Sequence, residues 1–494
     1  MKYKDTILKG TFWVSLSTFF NAFAQIFRLA VLTRFLPKSD FGLVALLTFV
    51  LNITYTFSDL GFSSALMHKK DITQKEFSSL YWIQLVFYSI IYLVVISLSG
   101  PISAYFDEER MAALLPLVLL DMFMHGLGKL YETLLHKNFY YRVIAIRNIS
   151  ASLISLIVAV VLAIKGFGVY SLIYSTLCQS LLLNLCNLIM GQKILRLRLY
   201  CSFIKVKNLI KIGVYQTGGQ ILDSLAGQLD ILIIGKALGL EELGVYNLAK
   251  ELFSKIKMII NSVSNKVMLP IFADVQDDNS YSRRIYLKMI KVIGDVNIPI
   301  SSIIGMFAFI IIPLLYGNSY KSDVLVFTIM SIWAIFESLG NPVGNIVVAK
   351  GKTNLFFFYT LLRICIYLPG LFIISKFGLI PLVTGLIILS YFSNILACQM
   401  VLKPAIGLSI NEYHNSFIKL LLFSVLYMLC GFFLLKYIDS LESIHFIAKY
   451  AAYLIILSIY LLVYYRLERP FINDMLVKLD VPSSFKRKQY KIKN

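Results

Sequence analysis

Charge is scarce in this chain and unevenly signed. Asp, Glu, Lys and Arg make up 15% of the 494 residues, against about 25% in soluble domains, too little to cover a water-facing surface. Acidic residues number 27 against 47 basic ones. Histidine is rarer: His68, His125, His136, His414 and His445 are scattered and suggest no ligand set. The six cysteines (Cys178, Cys186, Cys201, Cys365, Cys398 and Cys430) include no CxxC pair and lie in or beside apolar runs. That spacing favours reduced packing or lipid-facing thiols over a metal or disulfide framework. There is no Gly-rich phosphate loop of Walker type, no GxSxG and no HExxH, so the sequence carries no signature of nucleotide hydrolysis or of the common hydrolases. No stretch between apolar runs is long enough to fold as a soluble catalytic domain. An enzyme is not expected, nor a metal or organic cofactor.

Apolar residues dominate instead. They make up 58% of the chain, aromatics 14%, and the mean hydropathy is +0.76. A run of about 20 apolar residues spans the hydrocarbon core of a bilayer, and roughly fourteen such runs can be read here. The expected fold is an all-α polytopic membrane protein of about fourteen transmembrane helices. Lys and Arg crowd alternate loops, as at Lys69, Lys70 and Lys75, at Lys193, Arg196 and Arg198, and at Arg283, Arg284 and Lys288, while one intervening loop reads Asp107-Glu108-Glu109-Arg110. This positive-inside pattern puts both termini in the cytoplasm. The net charge of +20 then belongs beside anionic headgroups and calls for no nucleic acid. Lys2, Lys4 and Lys9 followed by an apolar run and Ala22-Phe23-Ala24 imitate a secretory signal. Cleavage there would remove a helix that has a counterpart later in the chain.

That counterpart comes from an internal repeat. Asp40-Phe41-Gly42-Leu43 returns as Glu242-Leu243-Gly244-Val245, an offset of 202 residues (244 − 42). The same offset pairs Lys9 with Lys211, Trp13 with Tyr215 and Leu36 with Leu238. Phe167-Gly168-Val169 is echoed by Phe377-Gly378-Leu379. The chain therefore divides into an N-terminal lobe over 1–200, a C-terminal lobe over 201–410, two extra helices over 411–466 and a basic tail over 467–494. Both copies start from basic segments, so the repeats are parallel, as in many two-lobed transporters with a binding site between the lobes. Energy for transport would have to come from an ion gradient, the substrate gradient or a separate subunit.

Ionisable groups at bilayer depth cost several kcal/mol and usually face a cavity or a partner. Helix 1 carries Ser17, Asn21, Gln25 and Arg28 at helical spacing; helix 2 carries Asn52, Thr56, Asp59 and Ser63. Helix 7 carries Gln216, Gln220, Asp223, Gly227 and Asp230, and helix 8 carries Lys250, Ser254, Lys257 and Asn261. Each set falls on one face, and the repeat makes these four helices two equivalent pairs, so the faces are expected to line one cavity. Arg28 and Asp230 can also snorkel to an interface, and Glu251 with Lys255 has the i, i+4 spacing of a structural ion pair. Helix 4 adds Asp121, His125, Lys129 and Glu132 in a row, either a proton relay or a charge-compensated helix contact. Gly340, Pro342 and Gly344 beside Glu337, Asn341 and Asn345 mark an interrupted or kinked helix 10.

The segments Leu36-Pro37-Lys38-Ser39-Asp40-Phe41-Gly42-Leu43, Ser58-Asp59-Leu60-Gly61-Phe62-Ser63 and Leu243-Gly244-Val245-Tyr246-Asn247-Leu248-Ala249 carry a family resemblance. The chain resembles the multidrug/oligosaccharidyl-lipid/polysaccharide flippase superfamily, and within it the transporters of O-antigen, colanic-acid or teichuronic-acid repeat units. The resemblance covers roughly residues 5–410; Gly227 and Gln228 just before Asp230 depart from the family pattern. It implies a V-shaped arrangement of two six-helix lobes plus two helices, in the cytoplasmic membrane of a bacterium. It also implies alternating access that flips an undecaprenyl-diphosphate-linked oligosaccharide, coupled to H+ or Na+, with membrane lipids, a polysaccharide polymerase and a chain-length regulator as partners. For such a substrate Arg28, Lys250 and Lys255 are the candidate pyrophosphate ligands. Asn21, Gln25, Asn52, Gln216 and Gln220 are candidates for the glycan, and Asp59, Asp223, Asp230, Asp121 and His125 for ion coupling. A drug/cation antiporter of the same superfamily is the rival reading, supported by Asp59, Asp223 and Asp230 and opposed by the basic groups. A membrane glycosyltransferase or polymerase is a more distant one.

Overall fold

A computed structural model describes residues 2–59, 61–69, 72–203, 206–207, 222–274, 278–340, 342–440 and 446–479. Among these residues the chain is helical throughout, without a strand. The first group of helices is α1 (Lys2–Leu32), α2 (Lys38–Asp59), α3 (Phe62–His68), α4 (Gln74–Ser97), α5 (Ser99–Phe106), α6 (Arg110–Lys137), α7 (Tyr141–Ile164) and α8 (Val169–Ile194). The second begins with α9 (Leu229–Ala237), α10 (Leu240–Asp274), α11 (Asn279–Met306), α12 (Ala308–Tyr316), α13 (Val324–Gly340) and α14 (Pro342–Ala349). It ends with α15 (Thr353–Ser375), α16 (Leu379–Ala397), α17 (Ile418–Ser440) and α18 (Phe446–Leu479).

Twelve helices among the described residues are long and apolar enough to cross a membrane. The sequence reading of about fourteen also counted a run centred near residue 222, of which the part up to 221 lies outside the described residues, and α10. The latter is 35 residues long but charged through its middle by Lys250, Glu251, Lys255 and Lys257. Local signals set several boundaries. Thr73 accepts from the Glu76 N–H while Glu76 returns a bond to the Thr73 N–H, a capping box that starts α4. Gly168 and Gly378, the two copies of the later repeat echo, precede α8 and α16 with φ of 54° and 99°, a region that side chains with a Cβ rarely enter.

In the first group α6 packs on α8, α1 on α7, α7 on α8 and α4 on α6. In the second α13 packs between α11 and α16, α15 lies on α16, and α9 touches α15. α17 rests on α11 and α12, and α18 adds an outer layer on α17, tied to α11 by the Tyr464 hydroxyl donating to the Asp295 carbonyl at 2.7 Å. Large apolar side chains such as Val86 and Leu93 of α4, Leu361 and Leu362 of α15 and Leu454 and Leu462 of α18 point outward, as a lipid-facing surface requires.

The two groups meet mainly where α2 lies along α10, with α1 also touching α10 and α12. At this crossing the repeat folds onto itself. A Cβ on Gly42 would stand 1.9 Å from the Leu240 carbonyl oxygen, and a Cβ on Gly244 would stand 2.0 Å from the Lys38 carbonyl oxygen. Leu240 and Lys38 are themselves separated by the repeat offset (240 − 38 = 202). Each motif therefore supplies a glycine to accept the other motif's backbone, a reciprocal contact about a local two-fold axis. Small residues allow backbones this close, and dispersion rewards the approach.

Charged side chains fasten the same end of the bundle. Lys38 bridges Asp323 at 2.7 Å and Glu241 at 3.8 Å, and Lys236 bridges Asp107 at 2.7 Å. Arg34 donates to the carbonyls of Leu314 at 2.9 Å and Leu315 at 3.4 Å, close to the C-terminal end of α12, where a cation also meets the negative helix pole. Arg110 joins Asp40 at 3.0 Å and Glu108 at 2.7 Å; its side-chain bond holds the Glu108 carboxyl below the usual carboxylate range. At the opposite end, loop contacts run within each group: Gln74 to Arg196, Trp82 to Arg198, Lys350 to Asn279 and Lys352 to Pro404. If the Lys38–Asp323 bridge fastens the seam, Lys38→Glu should lower the melting temperature in detergent and the exchange Lys38→Glu/Asp323→Lys should restore most of it. A single variant that melts with the unaltered protein would show the bridge to be idle.

Candidate functional site

A cavity of about 530 Å³ opens within the second group, lined from α9 and the residues before it, α10, α13, α14, α15 and α16. Three ion pairs line it. Lys250 of α10 is bonded to Asp230 of α9, Lys257 of α10 meets Glu337 of α13 at 3.3 Å, and Arg363 of α15 meets Asp223 at 2.9 Å. Asp230 is the most enclosed of the three acids: its side chain is 9% exposed, against 41% for Glu337 and 46% for Asp223. The Tyr246 hydroxyl also donates to Asp230, and the Ile231 N–H reaches its other oxygen at 2.9 Å.

Depth follows from helix geometry. Lys250 lies ten residues into α10, about 15 Å from its start and so near the middle of a hydrocarbon core about 30 Å thick. Trp333, Phe356, Tyr359 and Tyr367 supply aromatic faces, while Asn345, Ser390, Ser393 and Asn394 supply amides and hydroxyls. The Arg363 guanidinium lies over the Tyr359 ring, 5.8 Å from its centroid. The helix break foreseen around Pro342 forms one wall: α13 ends at Gly340, α14 begins at Pro342, and Asn341 between them lies outside the described residues.

Of the candidate ligands and coupling acids named from the sequence, the cavity gathers Lys250, Asp223 and Asp230; Gly227, Ser254 and Lys257 from the same helical faces and Glu337 and Asn345 beside the helix break also line it. Lys250, read as a phosphate ligand, and Asp230, read as an ion-coupling acid, prove to be two ends of one salt bridge. Lys255 takes the structural option and pairs with Glu251 at 2.8 Å. Arg28 lies in the first group, donating to Ser155 at 3.4 Å with its buried Nε unpartnered. Asn21 accepts from Ser152 at 2.5 Å, and Gln25 is half-buried on the same helix. Asn52 donates to Gln228 at 3.2 Å, and Thr56 meets Ser224 at 3.1 Å, so the polar face of α2 is spent on the contact between the groups. Asp59 accepts from Ser63 at 2.8 Å at the end of α2. Gln216 and Gln220 lie outside the described residues. The expectation of four polar faces around one cavity is thus replaced: this cavity is walled by the second group, and the faces of α1 and α2 bond to neighbouring helices.

The helix 4 row, now α6, divides in two. Asp121 accepts from the Tyr55 hydroxyl, and the ring of His125 packs on that of Tyr55 at 4.8 Å. Lower down, Glu132 is bonded to Arg147 at 3.0 Å and to Lys129 at 3.6 Å. Sequence reading missed Arg363, although it is the only ionisable side chain between Thr353 and Ser375 apart from tyrosine and cysteine. A single Arg in such a run is costly unless partnered, and that cost was the available signal.

The sequence profile of a family described as polysaccharide biosynthesis protein matches residues 31–325. The chain is 24% identical over 416 residues to the lipopolysaccharide biosynthesis protein WzxC of Escherichia coli (strain K12), which covers 84% of each chain. Among solved structures, the lipid II flippase MurJ in an inward closed conformation matches with a TM-score of 0.68 at 15% identity, over 92% of this chain and 98% of that one. An inward-facing multidrug resistance transporter of the MATE family matches with a TM-score of 0.62 at 16% identity, over 77% of this chain and 92% of that one. The all-α polytopic fold expected from the sequence is observed, with twelve helices among the described residues long and apolar enough to cross a membrane, and it is the fold of these two solved structures.

Proposed function

Because this chain belongs to the polysaccharide biosynthesis protein family, we propose that it is a flippase for lipid-linked oligosaccharides. Its cargo is an undecaprenyl-diphosphate-linked repeat unit, moved across the cytoplasmic membrane by alternating access for surface polysaccharide synthesis. The observation that carries this reading is the mid-depth cavity with Lys250, Lys257 and Arg363 beside aromatic and amide side chains. Cations suit a diphosphate through charge-assisted bonds, Arg in particular as a fork. Aromatic faces and amides suit sugar rings, which are apolar on their faces and hydroxylated at their edges. With both termini cytoplasmic, the α2–α10 seam lies on the outer side, so this state is closed outward. Coupling to H+ or Na+ would drive the cycle, and a polymerase with its chain-length regulator would take the product.

One feature favours the drug-antiporter alternative: Asp223, Asp230 and Glu337 balance the three cations, so the cavity is not plainly cationic. A deletion strain separates the readings. Intact lipid-linked oligosaccharide, identified by mass spectrometry, should accumulate on the inner leaflet, and Arg363→Ala or Lys250→Ala should restore export at least about tenfold less well than the unaltered gene. Normal surface polysaccharide in both variants, at equal protein levels, would rule out the cationic cavity as the phosphate site.

A further inference from the structure

We infer that the Lys250–Asp230 pair is a joint binding site in which an anionic diphosphate takes Lys250 and a proton takes Asp230, so that cargo and proton bind together. The inference rests on the flippase reading. It begins from charge balance: the pairs at the cavity wall are three cations and three carboxylates. A low-dielectric site near mid-membrane tolerates little net charge. A diphosphate diester brings two negative charges; Lys250 already donates to Asp230 and to the Gly227 carbonyl, and in the inferred loaded state a phosphate takes the place of Asp230.

The displaced carboxylate then decides the outcome. Asp223 and Glu337 are nearly half exposed to the cavity, so water can solvate them if Arg363 or Lys257 turns away. The Asp230 side chain is only 9% exposed, and burial disfavours an unpaired carboxylate strongly. Its remaining neighbours do not replace the lysine. Tyr246 on α10 is a neutral donor, Tyr367 on α15 is neutral, Glu337 on α13 repels it, and Lys257 and Arg363 hold acids of their own. α14 and α16 contribute Asn345, Ser390, Ser393 and Asn394, which do not titrate, and α2 presents Asn52 to Gln228. A proton on Asp230 offsets one of the two phosphate charges: the pair changes from Lys⁺ and Asp⁻ to Lys⁺, one phosphate charge and neutral Asp, and the second phosphate charge is left to the water of the cavity.

By linkage, proton uptake on binding means tighter binding as pH falls. Proton and cargo then support each other at this pair and do not compete for it, so the pair cannot exchange one for the other, and an inward ion gradient that drives export must act through other groups. The test is calorimetry on the detergent-solubilised full chain. The probe is a short-chain prenyl-diphosphate sugar, whose strongly acidic diester phosphates stay ionised through the range titrated, measured in buffers of different ionisation enthalpy. Unaltered protein should take up close to one proton per probe bound and bind up to about tenfold tighter per unit fall in pH. Asp230→Asn should bind at least as well, without proton uptake or pH dependence, and Lys250→Gln should lose about tenfold or more in affinity. Binding without proton uptake by the unaltered protein, or uptake that persists in Asp230→Asn, would overturn the inference while the flippase reading stands. Failure of the diphosphate probe to bind, with tight binding of tetraphenylphosphonium, would overturn the flippase reading itself.

Discussion

Export should collapse when either Gly42 or Gly244 is replaced by alanine. Alanine is the informative choice because the new Cβ itself would stand 1.9 or 2.0 Å from a backbone oxygen of the facing helix. A backbone carbonyl within a helix turn cannot rotate aside as a flexible side chain can, so α2 and α10 must separate. Overpacking of this kind costs about 1–3 kcal/mol, and 1.4 kcal/mol already shifts a two-state equilibrium about tenfold. In the proposed orientation, the outward-closed state would lose population to states in which the seam is parted. In an ordinary helix Gly→Ala adds stability, up to about 1 kcal/mol, so a loss cannot be ascribed to propensity. A cysteine placed at Lys38 should then react faster with a membrane-impermeant maleimide added outside when Gly244→Ala is also present. Unchanged labelling and normal surface polysaccharide would mean the close crossing is not part of the transport cycle.

This crossing marks the boundary of what could be read in the sequence. The offset of 202 residues declares the two motifs equivalent, but equivalence does not imply contact. Only the fold shows that Gly42 meets Leu240 while Gly244 meets Lys38. The polar faces of α1 and α2 raise the same difficulty. Helical spacing places Asn21 and Arg28 on one side of α1, yet it cannot say whether that side meets water or α7. The structure gives them Ser152 and Ser155. Lys250 and Asp230 were both visible as costly charges at depth, but their pairing needed the relative rotation of α9 and α10. Arg363 escaped because it is the single charge in its run, and its partners at helical spacing, Tyr359 and Tyr367, count as aromatic in a hydropathy reading.

Arg147 carries the other large effect. Its place beside Arg142 and the basic loop suggests a positive-inside residue, but its side chain is only 4% exposed and joins three helices. It donates to Glu132 of α6 at 3.0 Å, to Asn148 of α7 at 2.8 and 3.1 Å, and to Asn187 of α8. Arg147→Leu would leave Glu132 with Lys129 alone, at 3.6 Å, and the buried Asn187 without that donor. Removing one partner of a buried ion pair costs about 3–5 kcal/mol, whereas replacing both by apolar groups is often close to neutral. The single variant should therefore melt many degrees lower in detergent and reach the membrane in reduced amount, and Arg147→Leu/Glu132→Leu should recover most of the loss. The same pair of variants separates the two roles open to the α6 row. If Glu132 is one end of a proton relay running down from Asp121 and His125, the double variant will be stable but inactive. If the lower part of the row is a structural contact, as its three-helix bonding favours, export will return together with stability. Equal melting of Arg147→Leu and the unaltered protein would show that the pair adds nothing to the packing of α6, α7 and α8.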